Sequence, residues 1–228
     1  MMSTNSMGAK LLLAAFLAVA PARLLASGLN IDFGWYVDPP SNTFGGAAGQ
    51  PGTWNWITSV GIIPASLVDL SGTTTTISLN VAADSPSGGD VRSVTTDIGA
   101  LRDSNFFSLP GDTWSFILSN LSNGTYSLYY YSAMHPSIGT GSFTVNGVSA
   151  PAIGPDPAPT LEEGIDWEVV SGIAVTDGTL TATSTDTSSM FGLAGMQLVE
   201  QDTPEPCTLL LGLATFGIVW RRRRRFGA

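Results

Sequence analysis

WSFILSNLSNGTYSLYYYSA, from Trp114 to Ala133, decides the fold class. Two runs rich in aromatic and aliphatic residues, Trp114 to Leu121 and Thr125 to Ala133, flank Asn123-Gly124, and an Asn-Gly step between such runs predicts a β-hairpin. The pattern repeats on both sides. Ser66 to Leu70, a turn at Ser71-Gly72 and Thr73 to Val81 predict a second hairpin; Glu168 to Val175, Asp177-Gly178 and Thr179 to Ser184 predict a third. Leu29 to Phe33 reads as the first strand, Gly141 to Val145 as a strand ending at Asn146-Gly147, and Leu193 to Val199 as the last. No stretch between Gly28 and Thr203 sustains a helical period, so the expectation is an all-β protein built as a single jelly-roll-like β-sandwich.

Pro151, Pro155, Pro157 and Pro159 lie between Ser149 and Gly164 and make a stiff irregular crossing between the halves of that sandwich. No fixed-period repeat appears, which argues against a solenoid or propeller. The one cysteine, Cys207, lies near the C-terminus, so the body has no disulfide and must fold on a hydrophobic core.

Both ends of the chain read as export machinery. Lys10 precedes the apolar stretch Leu11 to Ala20, Pro21 ends it, and small residues follow at Ala20, Ala22, Ala26 and Ser27. This is the layout of a secretory signal peptide, assigned to residues 1–26, with a cut after Ala22 or Ala26. At the other end stand Pro204, Glu205 and Pro206, an apolar run from Cys207 to Trp220, and Arg221, Arg222, Arg223, Arg224 and Arg225. Fourteen helical residues reach roughly 21 Å against a hydrocarbon core of about 30 Å, which makes a poor permanent anchor. The arginines hold that end on the cytoplasmic face and place the body on the other side.

The segment 203–228 resembles the C-terminal sorting signal of PEP-CTERM proteins, the exosortase substrates of Gram-negative bacteria that make extracellular polysaccharide. An ordinary tail anchor with a stop-transfer cluster is the alternative. The resemblance implies cleavage near the tripeptide by an exosortase-type membrane transpeptidase, after passage through the secretory translocon, and delivery to the cell surface or extracellular matrix. It implies nothing about the body, residues 27–200.

Removing both ends changes the charge. The whole chain carries −9, but the span from Ser27 to Thr203 holds only Arg92 and Arg102 against seventeen of the eighteen acids, a balance of −15 with no lysine. Nucleic-acid binding, which needs a basic surface, is excluded on this ground. Catalysis has little support: His135 is the only histidine, with no nucleophile motif beside it.

Four fragments carry a second resemblance. They are Gly124 to Tyr131, Phe143 to Gly147, Val175 to Thr181 and Leu193 to Leu198, and in that order they are similar to the C-terminal half of galactose-binding-like jelly-roll modules of the malectin and carbohydrate-binding class. The resemblance implies a fold, with glycan binding as an activity that many such modules do not exercise.

Trp54 and Trp56, two apart after the glycine-rich loop 45–52, share a direction in extended backbone. They form either a stacking platform for a sugar or a plug beneath the loop. Asp84 and Asp90, together with Asp156 and Asp166, are candidates for a structural calcium, the alternative being solvated loop carboxylates; no other cofactor is expected. Thr73 to Thr76 and the series Thr181, Thr183, Thr185 and Thr187 place hydroxyls at strand spacing, which β-propensity accounts for.

The sequence therefore supports an exported, surface-sorted, non-catalytic β-sandwich associated with extracellular polysaccharide. The alternatives are a structural or adhesion protein that binds other proteins, and a glycan-active enzyme. Intact-mass analysis of the exported species should show a chain that begins between Arg23 and Gly28 and has lost Arg221 to Arg225. Full-length material with both termini intact in the cytosol would contradict the export reading.

Overall fold

The computed structural model describes residues 28–34, 38–63, 66–83, 95–103, 105–135, 139–154, 160–184 and 190–201. Leu29 to Phe33 is extended as expected, in β1 (Gly28–Asp32), and is followed by three short strands: β2 (Trp54–Trp56), β3 (Gly61–Ile63) and β4 (Ser78–Ala83). A helix, α1 (Asp97–Asp103), precedes β5 (Phe106–Ser108), β6 (Trp114–Ser119) and β7 (Gly124–Ser132). The chain continues through β8 (Phe143–Val145), β9 (Val148–Ala150), β10 (Trp167–Val175), β11 (Thr179–Ser184) and β12 (Phe191–Glu200).

The strands form two six-stranded sheets. The first has the order β10-β7-β12-β1-β2 with β5 also paired to β12; the second has the order β3-β4-β6-β11-β8-β9. Their facing surfaces make one core, with Ile31, Leu128, Tyr130, Ile173 and Met196 of the first sheet against Leu79, Leu118, Val145, Leu180 and Ala182 of the second, all fully buried. The all-β, jelly-roll-like sandwich is therefore what the strand pattern indicated. One end of the core is aromatic: the Trp114 ring stacks on Phe191 at 3.8 Å between centroids and meets Phe143 edge-on at 5.2 Å.

The connectivity differs from the sequence expectation. Asn123-Gly124 does not close a hairpin, because β6 pairs with β4 and β11 in the second sheet while β7 pairs with β10 and β12 in the first. A two-residue type I′ turn needs positive φ at both central residues. Neither Asn123 nor Gly124 has it, and the turning residue is Asn120 at φ 64°. The physical reason lies in the inward faces. Within one sheet, the two strands' large residues would share a single face; crossing over sets Phe116 and Leu118 against Tyr126 and Leu128 through the core.

The Asp177-Gly178 step is likewise a crossing, from β10 in the first sheet to β11 in the second, in place of the expected hairpin. The two crossings brace each other: Leu121 N donates to Gly178 O at 3.0 Å, and Gly178 N to Asn123 Oδ1 at 3.0 Å. The Ser71-Gly72 turn does form, with Asp69 Oδ1 accepting from Ser71 N and Thr73 N. It joins only the isolated bridge Val68–Thr74, however, and the strand that follows pairs with β3 and β6. A true two-residue hairpin occurs at Asn146-Gly147, with φ of 46° and 81°, where β8 turns into β9.

α1 was not legible as a helix. It is seven residues long, is capped by Thr96 Oγ1 accepting from Gly99 N at 3.1 Å, and buries Arg102 completely. Arg102 Nη2 lies 2.6 Å from Asp166 Oδ1; its Nε donates to Ser132 O at 3.1 Å and its Nη1 to Thr160 O at 2.8 Å. One guanidinium thus ties the helix to the end of β7 and to the segment that leads into β10. Breaking a buried ion pair from one side leaves a desolvated charge behind, so Arg102→Met should lower stability by about 3–5 kcal/mol in urea unfolding. Arg102→Met combined with Asp166→Leu should recover part of that loss.

Candidate functional site

The two sheets differ on their outer faces. In β12 the first eight of ten residues are buried, so the centre of the first sheet is covered on both sides, whereas its edge strand β10 keeps exposed residues at Ser171, Gly172 and Ala174. In the second sheet β6 alternates strictly between buried and half-buried residues, which leaves its outer face open to solvent.

The cover over the first sheet is the glycine-rich loop, pinned by a polar network. Gln197 Oε1 accepts from Ala48 N at 3.1 Å and from the Tyr131 hydroxyl, which itself accepts from Ala47 N at 2.7 Å. Gln197 Nε2 donates to Asn30 Oδ1 at 2.9 Å and to Gly45 O at 3.0 Å, and Asn30 Nδ2 donates to Gln50 O at 3.0 Å. Beneath this loop lies Trp54, 4% exposed, stacked on Phe44 at 5.9 Å with its Nε1 donating to Phe44 O at 3.3 Å. Trp56, two residues along the edge strand β2, is 43% exposed. The two indoles share a strand, but only Trp56 is open to a ligand.

Among the calcium candidates, Asp166 is committed to Arg102, and its Oδ2 accepts from Glu162 N at 2.9 Å. Asp84, Asp90 and Asp156 lie outside the described residues, as do the sorting residues Pro204, Glu205, Pro206, Arg221, Arg222, Arg223, Arg224 and Arg225. Among the described residues no three of His, Cys, Asp and Glu converge, and no helix is long and apolar enough to cross a membrane.

The open face of the second sheet holds a cleft of about 560 Å³ that the sequence reading did not single out. Its lining includes Asn80, Ala82, Ser115, Thr183, Ser184 and Trp114. Register explains the arrangement. Ala82 lies opposite Ser115, Ser115 opposite Thr183, Thr183 opposite Thr144 and Thr144 opposite Ser149, a rank of small and hydroxyl residues across five strands. A second rank runs Asn80, Ile117, Thr181. Neighbouring strands are about 4.8 Å apart and alternate residues of one strand about 6.6 Å apart, so the hydroxyl and amide groups of the ranks are regularly spaced, with Ala82 and Ile117 as apolar members among them. At one end the Trp114 indole enters the lining from below. It is 3% exposed, and its Nε1 meets no acceptor among the described residues.

None of the six strands of this sheet contains a charged residue. The available sequence signal was the alternation in Ser115-Phe-Ile-Leu-Ser119 and Thr179-Leu-Thr-Ala-Thr183. That alternation reads equally well as any half-exposed strand until the register aligns it.

No known protein family and no curated protein matches the sequence. Among solved structures, the chain is similar to the ANX1 ectodomain from Arabidopsis thaliana, at 16% identity and a TM-score of 0.41 over 78% of this chain and 51% of that one. It is also similar to a family 35 carbohydrate binding module from Clostridium thermocellum, at 13% identity and a TM-score of 0.34 over 54% of this chain and 93% of that one. A third is TmCBM61, solved in complex with β-1,4-galactotriose, at 12% identity and a TM-score of 0.30 over 54% and 88%. The chain spans about half the length of the ANX1 ectodomain.

The tyrosines of β7 set an alkaline limit to this architecture. Burial first, and then the Glu200 carboxylate, push the Tyr126 hydroxyl up to about 12. Burial, with Glu168 adding to it, raises Tyr130 further, and burial also raises Tyr131. Each is a group whose neutral form the fold favours. Its contribution is complete below the unfolded value of about 10 and is lost as pH rises through the folded value. Phenolate absorbance from these three residues should appear together with loss of near-ultraviolet circular dichroism above about pH 12. Their ionisation with the tertiary signal intact would contradict the packing described.

Proposed function

We propose that this is an exported, non-catalytic β-sandwich that holds a neutral polysaccharide of the extracellular matrix against the open face of its second sheet. The observation that carries the reading is the charge distribution. Within the span from Ser27 to Thr203, whose balance is −15, that sheet has no charged residue in its strands and presents ranked hydroxyl, amide and methyl groups. Neutral sugars match that surface: their hydroxyls both donate and accept, and desolvating them against Ser, Thr and Asn leaves no charge unpaired. A polyanionic polymer would meet the field of the surrounding carboxylates.

The half-exposed Trp56 on the edge of the first sheet supplies a second stacking surface for a long polymer. With no exposed aromatic ring on the hydroxyl lattice itself, single-site affinity falls near the millimolar range, and retention on a polymer depends on repeated contacts. The export route is that of the two terminal segments: the secretory translocon, transient membrane retention and release by an exosortase-type transpeptidase.

Affinity electrophoresis through gels containing neutral β-glucans, β-galactans or an acidic uronate polymer tests the reading. Retention should occur in a neutral gel and be absent in the acidic one. Thr183→Ala and Asn80→Ala should each weaken it about 5- to 10-fold, the effect of one lost hydrogen bond. Loss only on Trp56→Ala would move the site to β2, and no retention in any neutral gel would overturn the proposal.

A further inference from the structure

β10 is an edge of the first sheet and is nine residues long, against three for each edge of the second sheet, β3 and β9. One side of it pairs with β7. Along an antiparallel strand, successive residues turn their N–H and C=O to opposite neighbours. Gln201 N donates to Thr125 O, so Thr125 faces β12, while Gly124 and Tyr126 face β10. Their partners are Val175 and Ile173; past a register shift, Leu128 and Tyr130 meet Val170 and Glu168. Trp167, Val169 and Ala174 are left with their backbone groups turned to the open side. A long row of that kind invites an extended chain to add itself to the sheet.

All three residues are served from within the molecule instead. Gly164 N donates to Trp167 O at 2.8 Å, and Trp167 N reaches Glu162 O at 3.4 Å. Glu168 lays its carboxylate along the edge, where Oε1 accepts from Val169 N at 2.9 Å. Ala174 O accepts from Asn146 Nδ2 at 2.9 Å, an amide that arrives from the β8–β9 turn of the other sheet. Asn146 cannot swing away freely, since the same side chain donates to Thr179 O and accepts from Thr181 N.

Between these closures the ladder itself is broken. The register shifts between Val170 and Ile173, and the intervening Ser171 and Gly172 are exposed. Gly172 has φ 73°, an angle glycine takes without strain, and an extra residue of this kind bends a strand away from a straight partner. Without these features β10 would be a strong pairing strand. Its sequence is rich in β-branched residues, and Glu168 is its one charged residue, so two copies of it would meet with little repulsion.

We propose that β10 is a pairing edge for a second copy of this chain, held shut by the Glu168 carboxylate, the Ser171–Gly172 bulge and the Asn146 amide. Two copies meeting there would lie antiparallel about a two-fold axis and merge their first sheets into one. The closed edge keeps each body single, independently of what the second sheet binds.

Light scattering over a concentration series of the chain as isolated from cells tests this. The parent should keep the mass of one copy throughout. Glu168→Val with Asn146→Gly opens two of the three closures and keeps a residue tolerant of positive φ at position 146. That variant should approach the mass of two copies, with a dimer dissociation constant lower than the parent's by about tenfold or more. Glu168→Val alone should shift in the same direction, and it decides the matter if the double variant loses its near-ultraviolet circular dichroism. Glu168→Gln keeps an acceptor for Val169 N without the charge and should stay single; association equal to that of Glu168→Val would leave only charge repulsion and overturn the device. Adding Ala174→Pro to the double variant removes an N–H from the open side of β10 and should restore the single copy. Association that survives this change, a folded double variant of constant mass, or a parent that already pairs would each overturn the proposal.

Discussion

The side-chain amide of Gln197 holds the rest of the molecule in its present division of labour. It lies on β12, the strand that pairs with β1, β5 and β7, and it points away from the main core. A fully buried amide must satisfy both its oxygen and its nitrogen. Gln197 does so by holding the glycine-rich loop: its oxygen takes Ala48 N and the Tyr131 hydroxyl, and its nitrogen serves Asn30 Oδ1 and Gly45 O. Gly46, at φ 55°, permits the loop to come this close; a Cβ there would lie 2.3 Å from Gln197 Oε1. The centre of the first sheet is consequently covered on its outer face, while Trp56 on β2 and alternate residues of β10 stay open.

That sealing explains why the two tryptophans diverge. Periodicity gives them a common direction, and in β2 they have it. What periodicity does not contain is the reach of a loop that ends two residues earlier in the chain and folds back over Trp54 while stopping short of Trp56. The covering depends on contacts far apart in sequence, such as Ala47 to Tyr131 and Ala48 to Gln197, that no local window holds. The same limit applies to Asp166. Its neighbourhood of acids suggested a cation, and the structure supplies one from within the chain, in the guanidinium of Arg102 on α1.

Strand existence was legible and strand partnership was not. Asn123-Gly124 and Asn146-Gly147 are the same dipeptide between apolar runs, yet only the second turns within its sheet. The difference lies in what flanks them. Three-residue β8 and β9 carry few large inward side chains and extend the second sheet in sequence, β8 pairing with β11 and β9 pairing with β8. Six-residue β6 and nine-residue β7 each carry a full set of large inward side chains, which pack best when they face one another from opposite sheets. Turn chemistry proposes a hairpin in both places, and core volume decides between them. α1 was missed for a related reason. Seven residues are too few for a helical period to register, and the helix draws its stability from a cap and a buried ion pair rather than from an apolar stripe.

The segregation of charge links fold, solubility and site. An uncharged, hydroxyl-rich sheet is a hazard if its edges are free, because unpaired backbone groups invite another chain. Here the edges are β3 and β9, each three residues long, so little backbone is offered at either end of the sheet. The net negative charge of the body keeps copies apart over the Debye distance without placing any carboxylate in the strands of that sheet. Repulsion between like bodies and neutrality of one face are therefore compatible, and together they discriminate. A second copy of the chain would bring its own carboxylates into that field, whereas the proposed neutral polymer would bring no charge to the hydroxyl ranks.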